Sequence, residues 1–94
     1  MMNERQKQDV LNRLNRIKGQ IGGIQNMIED DRYCVDVLTQ TAAALSALRR
    51  VEDRILSAHM KTCVADAMRS GDAQEQQEKL DELIDLIGKI RNHG

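Results

Sequence analysis

From Val10 onward the apolar positions Val10, Leu14, Ile17, Ile21, Ile24 and Ile28 recur at alternating steps of four and three, the seam of an amphipathic helix. This predicts a first helix over residues 4 to 29. Gly19, Gly22 and Gly23 lie inside it, each costing up to about 1 kcal/mol relative to Ala, so another backbone is expected to approach closely there. The acidic break Glu29, Asp30, Asp31 offers N-cap candidates for a second helix, and neither Gly nor Pro follows until Gly71. The periodic set Leu38, Ala42, Leu45, Leu48, Val51, Ile55 and Thr62 makes that helix long, residues 32 to 69, with Ser70 and a left-handed Gly71 ending it. A third helix is expected over residues 73 to 91, with Leu80, Leu83, Ile84, Ile87 and Ile90 on one face. No repeat or low-complexity stretch is visible, and residues 1–94 read as a single all-α domain.

Composition adds a partner to this picture. A chain of 94 residues buries a small fraction of its surface when it folds alone. There is no Phe or Trp and a single Tyr, so no large aromatic side chains fill a monomeric core. Proline is absent and 31% of residues are charged, as in long solvated helices. No apolar run approaches the roughly 20 residues needed to span a bilayer, and the N-terminus is polar; a cytosolic location is expected. In that reducing compartment Cys34 and Cys63 read as metal or redox thiols, or as buried small apolar residues, ahead of a structural disulfide.

The net charge of -1 hides an asymmetry. Residues 4 to 18 carry Arg5, Lys7, Arg13, Arg16 and Lys18 against Glu4 and Asp9, whereas residues 72 to 85 carry Asp72, Glu75, Glu78, Asp81, Glu82 and Asp85 against Lys79 alone. Two readings stand: wet faces of two helices, or a basic end that meets a polyanion.

The chemistry-bearing residues gather on the second helix. His59 and Cys63 are four apart, so their side chains share a face and can ligate one ion; alone, such a pair also fits a buried Cys beside a satisfied His. Cys34 lies twenty-five positions before His59, about 37 Å along a helix rising 1.5 Å per residue. Within one chain they cannot share an ion. In a second copy lying antiparallel, position 34 falls beside positions 59 to 63 when the crossing point is near Ala47 and Leu48. The small residues between Thr41 and Ala47 permit that approach, and two symmetric sites per dimer result. Two thiolates and one imidazole suit a soft or borderline ion, and Cu(I) is satisfied by such a trigonal, sulfur-rich set. Zinc favours four ligands, hard ions favour oxygen, and nickel or cobalt favour more nitrogen, while the only other His is His93.

Arg13-Leu14-Asn15-Arg16-Ile17-Lys18-Gly19-Gln20, Tyr33-Cys34-Val35-Asp36-Val37-Leu38-Thr39-Gln40 and His59-Met60-Lys61-Thr62-Cys63 together resemble the copper-sensitive operon repressor (CsoR) family over nearly the whole chain. The Cys…His-x-x-x-Cys spacing is the specific part. The resemblance implies an all-α protomer of three helices, an antiparallel four-helix dimer core assembling into a tetramer, operator binding when metal-free and release on binding Cu(I). The matching ligand positions are Cys34, His59 and Cys63. Relatives that sense nickel or cobalt carry a further His near the N-terminus; formaldehyde-responsive ones lack the final Cys, and persulfide-responsive ones usually lack the His. The resemblance further implies that Tyr33 and a Glu of the third helix hydrogen-bond around the ligating His. Glu82 matches that position best, with Glu78 as the other candidate.

No aromatic residues interleave the basic positions, which favours duplex over single-stranded DNA. No short helix-turn-helix pattern occurs, so contacts are expected to spread over an oligomer face through Arg13, Arg16, Lys18, Arg49, Arg50 and Arg54, with Arg13 and Arg50 favoured by the resemblance. Phosphate-dominated binding implies strong salt dependence. The competing readings are a thiol or persulfide sensor using Cys34 and Cys63, and a copper-binding protein with no DNA role. An enzyme is not expected: no nucleophile-His-Asp set, phosphate-cradling Gly loop or carboxylate pair at a cleft is visible.

Overall fold

The computed structural model describes residues 2–92, which form α1 (Glu4–Glu29), α2 (Cys34–Ser70) and α3 (Ala73–Asn92). No strand occurs among the described residues. The all-α, three-helix expectation is met, with boundaries within about two residues of those read from periodicity.

Each helix end has a local cause. Asn3 caps α1 through a reciprocal box: its Oδ1 accepts from the Gln6 backbone N–H at 2.8 Å, and Gln6 Oε1 accepts from the Asn3 N–H at 3.0 Å. At the other end, Arg32 N–H donates to the Met27 carbonyl at 3.0 Å and Asp31 N–H to that of Ile28 at 3.2 Å, with Asp31 at φ 53°. This is the left-handed helix stop usually built on glycine. The acidic run expected to cap the second helix thus closes the first instead. α2 starts at Cys34, two residues later than periodicity placed it, with the Tyr33 carbonyl accepting from Asp36 and Val37. Its other end follows expectation: Gly71 adopts φ 65°. Asp72 then caps α3, its Oδ1 accepting from the Gln74 N–H at 2.9 Å.

The chain divides into two compact units, Met2–Leu56 and the residues from Ser57 onward. In the first, Val10, Ile17 and Val51 form the core, with Met2 and Ala47 packed against it. Only one edge of the predicted α1 seam is covered. Val10 and Ile17 are buried, whereas Leu14, Ile21 and Ile28, spaced by seven, are exposed. On α2 the apolar set expected as a single face is two. Val37 and Val51 are buried, while Leu38 and Leu45, about 100° farther around the helix, are exposed, and Leu48 and Ile55, on the border between the two arcs, are exposed to a lesser degree. The physical reason is that one neighbouring helix covers one arc of α2, and a second apolar arc at similar spacing blurs into the first in a linear sequence.

The close backbone approach expected at the α1 glycines is absent among the described residues: a Cβ on Gly19, Gly22 or Gly23 would meet nothing within 4 Å. Their helix continues unbroken. In the second unit Ala58, Ala67 and Leu83 are buried. Gln76 Nε2 donates to the Ala67 carbonyl at 3.0 Å, tying the start of α3 to the last turns of α2.

Candidate metal centre

The four-residue spacing brings together what it should. Cys63 Sγ lies 3.3 Å from His59 Nε2 and 3.9 Å from Nδ1, on one face of α2, and both residues are half-buried. A thiol or thiolate against an imidazole nitrogen is a pair of soft and borderline donors held at a separation one ion can bridge. The surroundings are largely apolar on one side: Cys63 opens onto a groove of about 200 Å³ lined by Val64, Ala67, Met68, Leu80 and Leu83, with Gln76 and Lys79 also contributing.

No third donor joins this pair among the described residues. Among the described residues no three His, Cys, Asp or Glu side chains converge. Cys34 is exposed at the start of α2. Tyr33, the residue before it, is also exposed. Glu82 points its carboxylate toward Lys79, Oε2 to Nζ 3.8 Å, and is exposed on α3; Glu78 accepts from Gln74 Nε2 at 3.3 Å. Neither carboxylate is gathered with His59 and Cys63 into a donor set in the single chain. His93 lies outside the described residues.

The basic positions separate into groups. Arg13 and Arg16 of α1 and Arg50 of α2 line one open cleft of about 260 Å³, with Gln20, Ile17 and Ala47 completing it. Lys18 and Arg49 are exposed. Arg54 is engaged elsewhere: its Nη1 lies 2.9 Å from Asp9 Oδ2, while Asp9 Oδ1 lies 3.3 Å from Arg13 Nε. Asp9 and Gln20 are the residues that the sequence pattern did not single out. An acid four positions before a base is an ordinary pairing on a helix surface, and nothing in the sequence joins Asp9 to a residue forty-five positions on.

Against this geometry, the sequence profile of the metal-sensitive transcriptional repressors matches residues 6–89. The chain belongs to the metal-sensitive transcriptional repressor family. Within that family it is 45% identical to the copper-sensing transcriptional repressor CsoR of Bacillus subtilis (strain 168), over 86 residues that are 92% of this chain and 82% of that protein. The crystal structure of the copper-sensing repressor CsoR with Cu(I) from Geobacillus thermodenitrificans NG80-2 matches with TM-score 0.85 and 38% identity, covering 97% of this chain and 92% of that one. The nickel-responsive transcriptional regulator InrS matches with TM-score 0.74 and 40% identity, over 83% and 88% of the two chains. The family assignment makes this chain a transcriptional repressor that responds to metal. Among the described residues no helix is long and apolar enough to cross a membrane.

Proposed function

We propose that this repressor senses Cu(I): the metal-free protein binds operator duplex, and Cu(I) binding at Cys34, His59 and Cys63 releases it. The observation that carries this reading is the 3.3 Å approach of Cys63 Sγ to His59 Nε2 on one helix face. Two thiolates and one neutral imidazole satisfy Cu(I) without further ligands, whereas Zn(II) would be left with an open position. Nickel sensing is disfavoured by the same inventory, since His59 and His93 are the only histidines and neither lies near the N-terminus.

Cys34 comes from a partner protomer in this reading, and two separate features agree on the register. An antiparallel pair of α2 helices that sets position 34 beside positions 59 to 63 crosses near residues 47 and 48. The exposed apolar stripe Leu38, Leu45, Leu48, Ile55 has its midpoint between residues 46 and 47. Antiparallel pairing of that stripe therefore buries the uncovered apolar arc and completes two ligand sets in one step. The assembly is a homodimer or a homotetramer built from such dimers. Tyr33 and Glu82 are proposed to orient the His59 ring through its second nitrogen, which requires the exposed Glu82 carboxylate to leave Lys79.

DNA contact falls to Arg13, Arg16, Lys18, Arg49, Arg50 and Arg54, acting mainly on phosphates. Release requires that the metal-bound conformation bind DNA less tightly than the metal-free one. Couplings of about 1 to 3 kcal/mol, typical of such switches, weaken DNA binding roughly 5- to 150-fold. The test is an anaerobic Cu(I) titration of reduced protein against a competing chelator, in parallel with fluorescence anisotropy of the protein's own promoter duplex. One tight equivalent per protomer, with DNA release abolished by Cys34→Ala, is the expected result. Release by persulfide and not by Cu(I) would replace the metal sensor with a thiol sensor, and tight Cu(I) binding without any effect on DNA would leave a copper-binding protein only.

A further inference from the structure

Asp9 joins two arginines of the basic positions, and its placement is specific. Asp9 spends one carboxylate oxygen on each of two arginines: Oδ1 on Arg13 Nε at 3.3 Å within α1, and Oδ2 on Arg54 Nη1 at 2.9 Å on α2. Arg13 also lines the cleft with Arg16, Gln20 and Arg50. A guanidinium has five N–H donors in a rigid plane. Fixing Arg13 through Nε leaves the four N–H groups of its two terminal nitrogens for the cleft. Arg54, fixed through one terminal nitrogen, anchors the carboxylate from the other helix.

We propose that Asp9 is a positioning residue for DNA binding, holding the Arg13 guanidinium edge-on to the cleft so that its terminal N–H groups meet a backbone phosphate already ordered. The proposal rests on the DNA-binding reading above. It makes a prediction opposite in sign to simple electrostatics. Deleting a negative charge from a face that binds a polyanion should tighten binding if charge alone matters. If Asp9 orders Arg13 instead, its loss leaves a long side chain to be immobilised during binding, which weakens affinity by roughly 2- to 12-fold per side chain ordered.

The experiment compares wild type, Asp9→Ala and Asp9→Glu in anisotropy titrations of the promoter duplex over a range of salt concentrations. Thermal melting and sedimentation on each variant confirm that fold and assembly are retained. Asp9→Ala is expected to bind 2- to 12-fold more weakly, and its log K against log salt slope to become shallower by roughly 0.9 for each phosphate that is no longer neutralised. Asp9→Glu keeps the charge and both acceptor oxygens and is expected to recover most of the wild-type affinity and slope. A misfolded variant would fail the melting and sedimentation controls, and no conservative substitution would selectively restore its salt slope. Asp9→Ala binding as tightly as wild type or more tightly, with an unchanged or steeper slope, would overturn the proposal alone. Wild-type protein that ignores the promoter duplex would overturn the DNA-binding reading and this proposal with it.

Discussion

Leu45 and Val51 lie on the same helix and differ in what covers them, so truncating each should damage a different equilibrium. Leu45 is 59% exposed in the single chain, and Val51 is 2% exposed in the core with Val10 and Ile17. Burying a whole Leu side chain stabilises by about 1.5 to 3 kcal/mol. The exposed share of Leu45 is therefore worth about 1 to 2 kcal/mol when a second protomer covers it. A two-fold interface contains the residue twice, so Leu45→Ala should weaken dimerisation by about 2 to 3.5 kcal/mol, or roughly 30- to 300-fold in Kd. Val51→Ala should instead lower the stability of every species by about 2 to 3 kcal/mol, from two deleted methyl groups and the cavity they leave, with little change in dimer Kd. Sedimentation equilibrium across a dilution series reads the first effect, and chemical denaturation at fixed protein concentration reads the second. Leu45→Ala dimers as tight as wild type would refute the assignment of this stripe to the interface.

Three further outcomes follow from the helix ends. Asp31→Gly should raise stability by about 0.5 to 1 kcal/mol, because a non-glycine residue is held at φ 53°, while Gly71→Ala, at φ 65°, should cost about 1 kcal/mol; urea midpoints at equal protein concentration check both. Asn3→Ala removes the α1 capping box and should cost about 1 kcal/mol, seen as faster amide exchange in the first turn of α1.

Much of the architecture was legible because helices of this length repeat their apolar positions many times, and Gly71 marks its turn by a requirement few other residues meet. The His59–Cys63 pair was legible for a similar reason: four residues along a helix is a contact by geometry alone. What escaped has equally definite causes. Asp30 and Asp31 carry side chains suited to an N-cap, and only the backbone reveals that Asp31 takes the left-handed position that ends α1. The two apolar arcs of α2 merge in a linear reading because Val51 follows Leu48 by three residues, the same step that separates Leu45 from Leu48 on the exposed arc. Gly19, Gly22 and Gly23 suggested a close neighbour that is not found among the described residues. Asp9 was hidden because a carboxylate among basic residues looks like ordinary charge balance, and its link to Arg54 depends on how α1 lies against α2 within the first unit.

The central claim is that each metal site takes Cys34 from one protomer and His59 with Cys63 from another. Mixing two inactive variants tests it most directly. Cys34→Ala and Cys63→Ala are unfolded together at equal concentration, refolded anaerobically and titrated with Cu(I) against a chelator that strips weak sites. A cross-protomer site predicts that each variant alone binds no tight Cu(I), whereas the mixture regains about a quarter of the wild-type stoichiometry, from one intact site in each mixed dimer. A mixture that regains no tight Cu(I), while an affinity tag on one variant retains the untagged other and so shows that mixed dimers have formed, would contradict the account.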